Sequence, residues 1–140
     1  MLRAPAALLL TSLLAACAMP GPAVEHVADP SALGPYSAAV RAENIVFVAG
    51  KIGRDRESFA TEVESAITAV ETQLAELGLS LADVVSVNVF VTDIDRYAEV
   101  NEIYAKRFPA PYPARTFVAV RALPGGAAIE IQAVAYRSGG

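Results

Sequence analysis

Two side chains in the C-terminal third of the sequence carry the chemistry most worth placing. Arg115 follows Pro113-Ala114 at the start of a strand-like run. Its planar guanidinium grips a carboxylate through two parallel hydrogen bonds, which supplies both energy and orientation. Glu130 lies in the next strand-like run, where a carboxylate facing a cleft can take a proton from water. Each has a plainer reading: Arg115 as an ion-pair partner at a subunit interface, Glu130 as the cross-hairpin partner of Arg121. Other chemistries lack residues. The single Cys, Cys17, cannot form an internal disulfide or a Cys-based zinc site, and the single His, His26, leaves no metal cluster or Ser-His relay. Lys plus Arg number 11 against 15 acidic residues, so a net charge of −4 offers no phosphate-neutralising surface for nucleic acid. There is no Trp and no Gly-rich phosphate loop, and neither metal nor organic cofactor is called for.

The elements that must position these residues occupy only part of the 140-residue chain. Met1-Leu2-Arg3 is a short positive start, and Ala4 to Ala16 is an uncharged apolar run too short to span a bilayer. This reads as an export signal over residues 1–16. Its end, Leu14-Ala15-Ala16-Cys17, resembles the lipobox of bacterial lipoproteins, which implies cleavage before Cys17 and acylation of that residue. The implied location is the periplasmic face of a bacterial membrane. Ala18, rather than Asp, after the Cys leans towards the outer membrane. Residues 17–32, with Pro20, Gly21, Pro22 and Pro30, read as a lipidated Cys and flexible tether containing His26. The folded domain is expected at 33–138.

Within it, Tyr36–Ala42 and Ile45–Gly50 form a hairpin about Glu43-Asn44. Ser58 caps a helix whose apolar face is Phe59, Val63, Ile67, Val70, Leu74 and Leu77, stopped by Gly78. Asp83–Thr92 is a strand with Val85, Val87, Val89 and Val91 on one face. A second helix from Asp93 shows Tyr97, Val100, Tyr104 and Phe108 to the core. A final hairpin joins Arg115–Ala122 to Ala128–Tyr136 through Pro124-Gly125-Gly126. In it Thr116, Val118 and Val120 face the helices, and Arg115 and Phe117 share the other face with Glu130, Gln132 and Val134. The result is an α+β domain, ββαβαββ, with two helices on one side of a mixed sheet. Its second face is half apolar, which calls for cover by another subunit.

Gly34-Pro35-Tyr36-Ser37, Val48-Ala49-Gly50-Lys51-Ile52, the run from Gly78 to Val85, Val89-Phe90-Val91-Thr92-Asp93, the run from Tyr97 to Tyr104, Pro113-Ala114-Arg115-Thr116, and Leu123-Pro124 through Ile131 together resemble the Rid/YjgF family of RidA-like enamine/imine deaminases. The resemblance spans nearly all of residues 33–136. It implies a YjgF-like (chorismate mutase-like) homotrimer with a ligand site in each cleft between subunits. It further implies carboxylate binding by Arg115, water activation by Glu130, pocket roles for Tyr36 and Asn101, and close ligand approach over Gly50. The implied reaction is hydrolysis of amino-acid enamines and imines to keto acids and ammonia. The other class of function that fits is a non-catalytic trimer binding a small carboxylate at the cell envelope.

The chain also departs from that pattern. Phe117 stands where a pocket-lining Cys is common, which narrows and dries the site. Gly50-Lys51-Ile52-Gly53 replaces Gly-Gln-Ile-Pro, exchanging a neutral amide for a cation and a stiff Pro for Gly. The following connection, Arg54 to Glu57, is short.

Overall fold

The computed structural model describes residues 24–138. Cys17 and the signal at 1–16 lie outside them. Six strands form one mixed sheet: β1 (Val24–Val27), β2 (Ala39–Ala42), β3 (Ile45–Ile52), β4 (Val84–Val91), β5 (Ala114–Ala119) and β6 (Ile129–Tyr136). Two helices, α1 (Phe59–Glu76) and α2 (Tyr97–Arg107), connect β3 to β4 and β4 to β5. The order across the sheet is β1-β2-β3-β6-β4-β5.

The segment α1 begins where expected. Ser58 accepts a hydrogen bond from the Thr61 amide, and the Thr61 hydroxyl accepts one from the Ser58 amide. It ends because Gly78 takes φ +69°, letting the Leu79 and Gly78 amides bond back to the Leu74 and Ala75 carbonyls. Its face of Val63, Ala66, Ile67, Val70 and Leu74 is fully buried against β3 and β6. Each large aliphatic side chain there contributes about 1.5–3 kcal/mol of burial. Asp93 caps a single 3₁₀ turn, Ile94–Arg96, that leads into α2. At its far end Arg107 joins α2 to α1 by bonding Glu64 and Glu71.

Four expectations change. The tether assigned to residues 17–32 contains β1, which pairs with β2 through Val24↔Ala42 to Val27↔Ala39. His26 is therefore on an edge strand, its Nδ1 3.2 Å from Ser37 Oγ. The C-terminal hairpin does not exist: β5 runs parallel to β4, while β6 inserts antiparallel between β3 and β4. Short turns favour neighbours, but the βαβ crossover through α2 claims the β4 edge for β5. Consequently Arg121 is not the cross-strand partner of Glu130, which faces Phe90 and Ile52. The faces of β5 are also exchanged: Arg115 and Phe117 lie beside Val87 and Val89 on the helix side, and Thr116 and Val118 lie on the open side. Finally, a register shift between Val84 and Ser86 buries Val84 and leaves Val85 half exposed. The α+β architecture with both helices on one face stands, with one strand more than expected.

Candidate functional site

Arg115 sits at the second position of β5, where the parallel pairing to Val87 turns it towards α2. One turn of spacing on α2 brings Tyr97, Asn101 and Tyr104 to meet it. Arg115 Nη2 donates to Asn101 Oδ1 at 2.6 Å and reaches Tyr97 Oη at 3.5 Å. The guanidinium carbon lies 4.7 Å from the Tyr104 ring centre, 5.6 Å from Phe117 and 5.7 Å from Tyr97. Tyr104 is itself backed by Phe108, stacked at 4.1 Å. Among the described residues Arg115 has no carboxylate partner. The arrangement is a preorganised cation with most of its donors unspent, held by one amide and three ring faces. It opens into a cleft of about 350 Å³ lined by Asn101, Tyr104, Tyr112 and Pro113. Burial pushes the Tyr104 phenol up to about 12, against the opposing pull of Arg115, so that ring stays neutral.

Glu130 occupies the other face. It projects from β6 opposite Phe90, beside a bulge that displaces β3 between Val48 and Lys51. Gly50 lies in that bulge, and the Glu130 carboxylate rests over its Cα: a Cβ there would stand 1.8 Å from Oε1. Only glycine permits this approach. Burial raises the Glu130 pKa, which makes its carboxylate a stronger base than an exposed one. Glu130, Gly50, Lys51 and Tyr36 line a second cleft, of about 670 Å³. Tyr36 lies in the loop before β2, and its hydroxyl accepts the Leu33 amide at 3.2 Å.

The residues anticipated for the site thus fall into two groups. Arg115 and Asn101 share one cleft; Tyr36, Gly50 and Glu130 share the other. The sheet separates them, so one protomer does not bring Arg115 and Glu130 together. Asn101 serves as the anchor of Arg115. Phe117 lines neither of these two clefts; it stands behind Arg115, edge-on to Tyr97 at 4.9 Å. Gly53 is no flexible joint: it is buried against the first turn of α1, where a Cβ would meet the Glu62 carbonyl oxygen at 2.3 Å. Tyr97 and Tyr104 were expected only as core, and their role around Arg115 was missed. The signal was available, since Tyr97, Asn101 and Tyr104 follow one helix face and the residue between the rings is polar.

Comparison with known proteins identifies the family and the fold. The family described as Endoribonuclease L-PSP matches residues 26–137. The chain is 42% identical to Reactive Intermediate Deaminase A, chloroplastic, of Arabidopsis thaliana over 113 residues, which is 76% of this chain and 60% of that protein. It is 38% identical to the 2-iminobutanoate/2-iminopropanoate deaminase of Homo sapiens over 115 residues, covering 77% of this chain and 84% of that one. The crystal structure of RidA from an Antarctic Psychrobacter superposes with a TM-score of 0.74 at 35% identity, over 82% of this chain and 98% of that chain.

Proposed function

The chain belongs to the family described as Endoribonuclease L-PSP, and from that premise we propose that it hydrolyses 2-imino acids, and their enamine tautomers, to 2-keto acids and ammonia. The observation that carries the reading is Arg115: a guanidinium fixed by Asn101 and three rings, facing a cleft, with no carboxylate partner among the described residues. A 2-imino acid presents a carboxylate next to its C=N bond, so gripping the first fixes the second. Glu130 takes a proton from water as the oxygen adds to the imine carbon. Glu130 passes that proton to the nitrogen to give the carbinolamine. It then takes the hydroxyl proton and gives it to the amino group, so that the C=O bond forms as the C–N bond breaks and ammonia leaves. Water is consumed and ammonia released, with no redox change and no cofactor.

Because the two groups lie on opposite sheet faces, the complete site needs Arg115 of one protomer and Glu130 of another. The open sheet face supports such assembly. Phe47, Val118 and Tyr136 are 45%, 38% and 48% exposed there, an apolar surface that a neighbouring copy would cover. The assembly is a homotrimer with three intersubunit clefts. RNA cleavage fits poorly with a net charge of −4. Export and acylation at Cys17 would place the protein at the periplasmic face of a bacterial membrane, the outer one by the residue at 18. That location also favours the second reading, a non-catalytic receptor for a small stable carboxylate, because free imines hydrolyse in water near their source.

The test combines turnover with complementation. Purified protein should accelerate loss of imine generated by an amino-acid oxidase, and Arg115→Ala and Glu130→Gln should each abolish it. Co-expressed, the two variants assemble at random. A cleft is intact when it draws its Arg from one kind and its Glu from the other, so activity returns to about a quarter of wild type. Wild-type protein no faster than Arg115→Ala would sink the enzyme reading; keto-acid binding lost on Arg115→Ala without turnover would establish the receptor.

A further inference from the structure

The larger cleft has an end that imine hydrolysis leaves unused. Strand β2 leaves β3 after Ala39↔Val48, the last link being the Ala49 amide to the Ala38 carbonyl at 3.0 Å. From Gly50 onward the outer edge of β3 is uncovered by β2 and borders the cleft together with the loop at Asp29–Leu33. Lys51 pairs with Ile131 and Ile52 with Glu130. Adjacent ladder positions point to opposite faces, so this edge carries a carboxylate on one side and an ammonium on the other.

Lys51 Nζ, half-buried, donates to Gln73 Oε1 at 3.2 Å. Gln73 is only 7% exposed and is locked by its own donation to Glu76 Oε2 at 2.9 Å. No carboxylate forms an ion pair with Lys51 among the described residues. The nearby acids are engaged elsewhere: Asp29 accepts the Ser31 amide at 2.7 Å and hydroxyl at 2.6 Å, and Glu76 holds Gln73. Arg54 stands on the same cleft, also without an ion pair among the described residues. A half-buried ammonium using one of its three donors keeps two for an incoming anion. Burial accordingly lowers the Lys51 pKa, opposed by Asp29 and Glu76.

We propose that Lys51, with Arg54 at the rim, binds a second anionic group of the ligand, so that the preferred substrates are 2-imino acids bearing a side-chain carboxylate. This rests on the hydrolase reading for the first carboxylate, at Arg115, and adds the far end of the molecule. At about 670 Å³ the cleft has room for a longer ligand than a short-chain imino acid. Gln73 is the positioning residue that aims the ammonium.

Stable keto acids separate the two claims. Calorimetry on the intact protein compares 2-oxoglutarate with 2-oxobutanoate, for wild type, Lys51→Gln and Lys51→Arg, at low and high salt. Wild type should bind 2-oxoglutarate at least tenfold more tightly, with the preference shrinking in salt. Lys51→Gln should bring the two affinities together, and Lys51→Arg should restore most of the difference. Equal affinities in wild type overturn this proposal and leave the hydrolase reading standing. A Lys51→Gln variant that weakens both ligands by the same factor also overturns it, as a merely structural effect. Failure of wild type to bind 2-oxoglutarate overturns this proposal, and only an accompanying absence of imine turnover in the same protein overturns the hydrolase reading as well.

Discussion

Gly50→Ala tests where Glu130 must sit. Gly50 has no positive φ, so alanine suits its backbone, and the whole effect falls on the side chain above. The new Cβ would stand 1.8 Å from Oε1, 2.8 Å from Cδ and 3.2 Å from Cγ of Glu130, whereas ordinary contact begins near 3.4 Å. The carboxylate must therefore withdraw by more than an ångström. It is the end of a flexible side chain, so folding suffers little. Loss of glycine from the unfolded chain favours the native state by about 0.4–1 kcal/mol. Catalysis is less forgiving: a misplacement of about 1 Å can cost about 10²-fold, equivalent to about 2.7 kcal/mol at the transition state. The expected result is a thermal midpoint unchanged or slightly raised, together with turnover reduced about 10²-fold. Imine generated by an amino-acid oxidase and followed through its semicarbazone reads the rate, and dye-monitored melting reads stability. Full turnover in a normally stable Gly50→Ala protein would refute the reasoning. So would a rate loss accompanied by a collapsed melting point, which would mark Gly50 as structural only.

Glu130 also has a pH signature. Burial raises its folded pKa above the usual value, so folding favours its protonated form, and the stability this brings below the unfolded pKa is lost as pH rises through the folded one. Glu130→Gln should therefore melt higher than wild type at pH 7, with the gap closing below pH ~4.3; melts across that range that run parallel would contradict this. Wild-type kcat/KM should fall on the acid side at a pH above that of an ordinary carboxylate. Ser58→Ala removes the cap of α1 and should cost about 1 kcal/mol in urea unfolding, with no change if the Thr61 interaction suffices alone. Phe47→Asp, on the open sheet face, should yield a folded monomer without turnover by light scattering and circular dichroism; a persistent trimer would place the interface elsewhere.

What could be read from the chain follows the range of the interactions involved. The helix α1 was legible end to end, because its cap at Ser58, its period through Leu74 and its stop at Gly78 are all written within a few residues of where they act. The turn at Glu43-Asn44 was legible for the same reason. The place of β6 was not. Pro124-Gly125-Gly126 is a sound turn signal, and Gly125 and Gly126 do take positive φ, yet the strand that follows passes beyond β5 and β4 to fill the gap left by the crossover from β3. Nothing within twenty residues of that turn encodes the destination; it depends on α1 holding β3 and β4 one strand apart. The exchange of faces on β5 has the same origin, since the pairing with β4 sets Arg115 beside Val87 on the helix side and Thr116 beside Asn88 on the open side. Val84 was misplaced by a bulge, and β1 was hidden by the prolines around it.

Under the proposed function the insertion of β6 also decides how the site works. Had β5 and β6 formed the expected hairpin, Arg115 and Glu130 would have shared a face, and one protomer could have held both ends of a small imino acid. With β6 between β3 and β4, Glu130 is delivered to the open face over Gly50, while Arg115 is carried under α2 to Asn101 and its rings. Each group is then rigid within its own protomer, and neither constrains the rotamer of the other. On that reading their separation is set instead by the docking of two copies through a face that is apolar in any case. A carboxylate and a guanidinium within reach of each other in one chain would pair and neutralise. Placing them on opposite faces leaves the cation without a counterion among the described residues and the base partly desolvated. In the proposed assembly a neighbour would then complete the cleft in the state that binding a carboxylate and activating water both require.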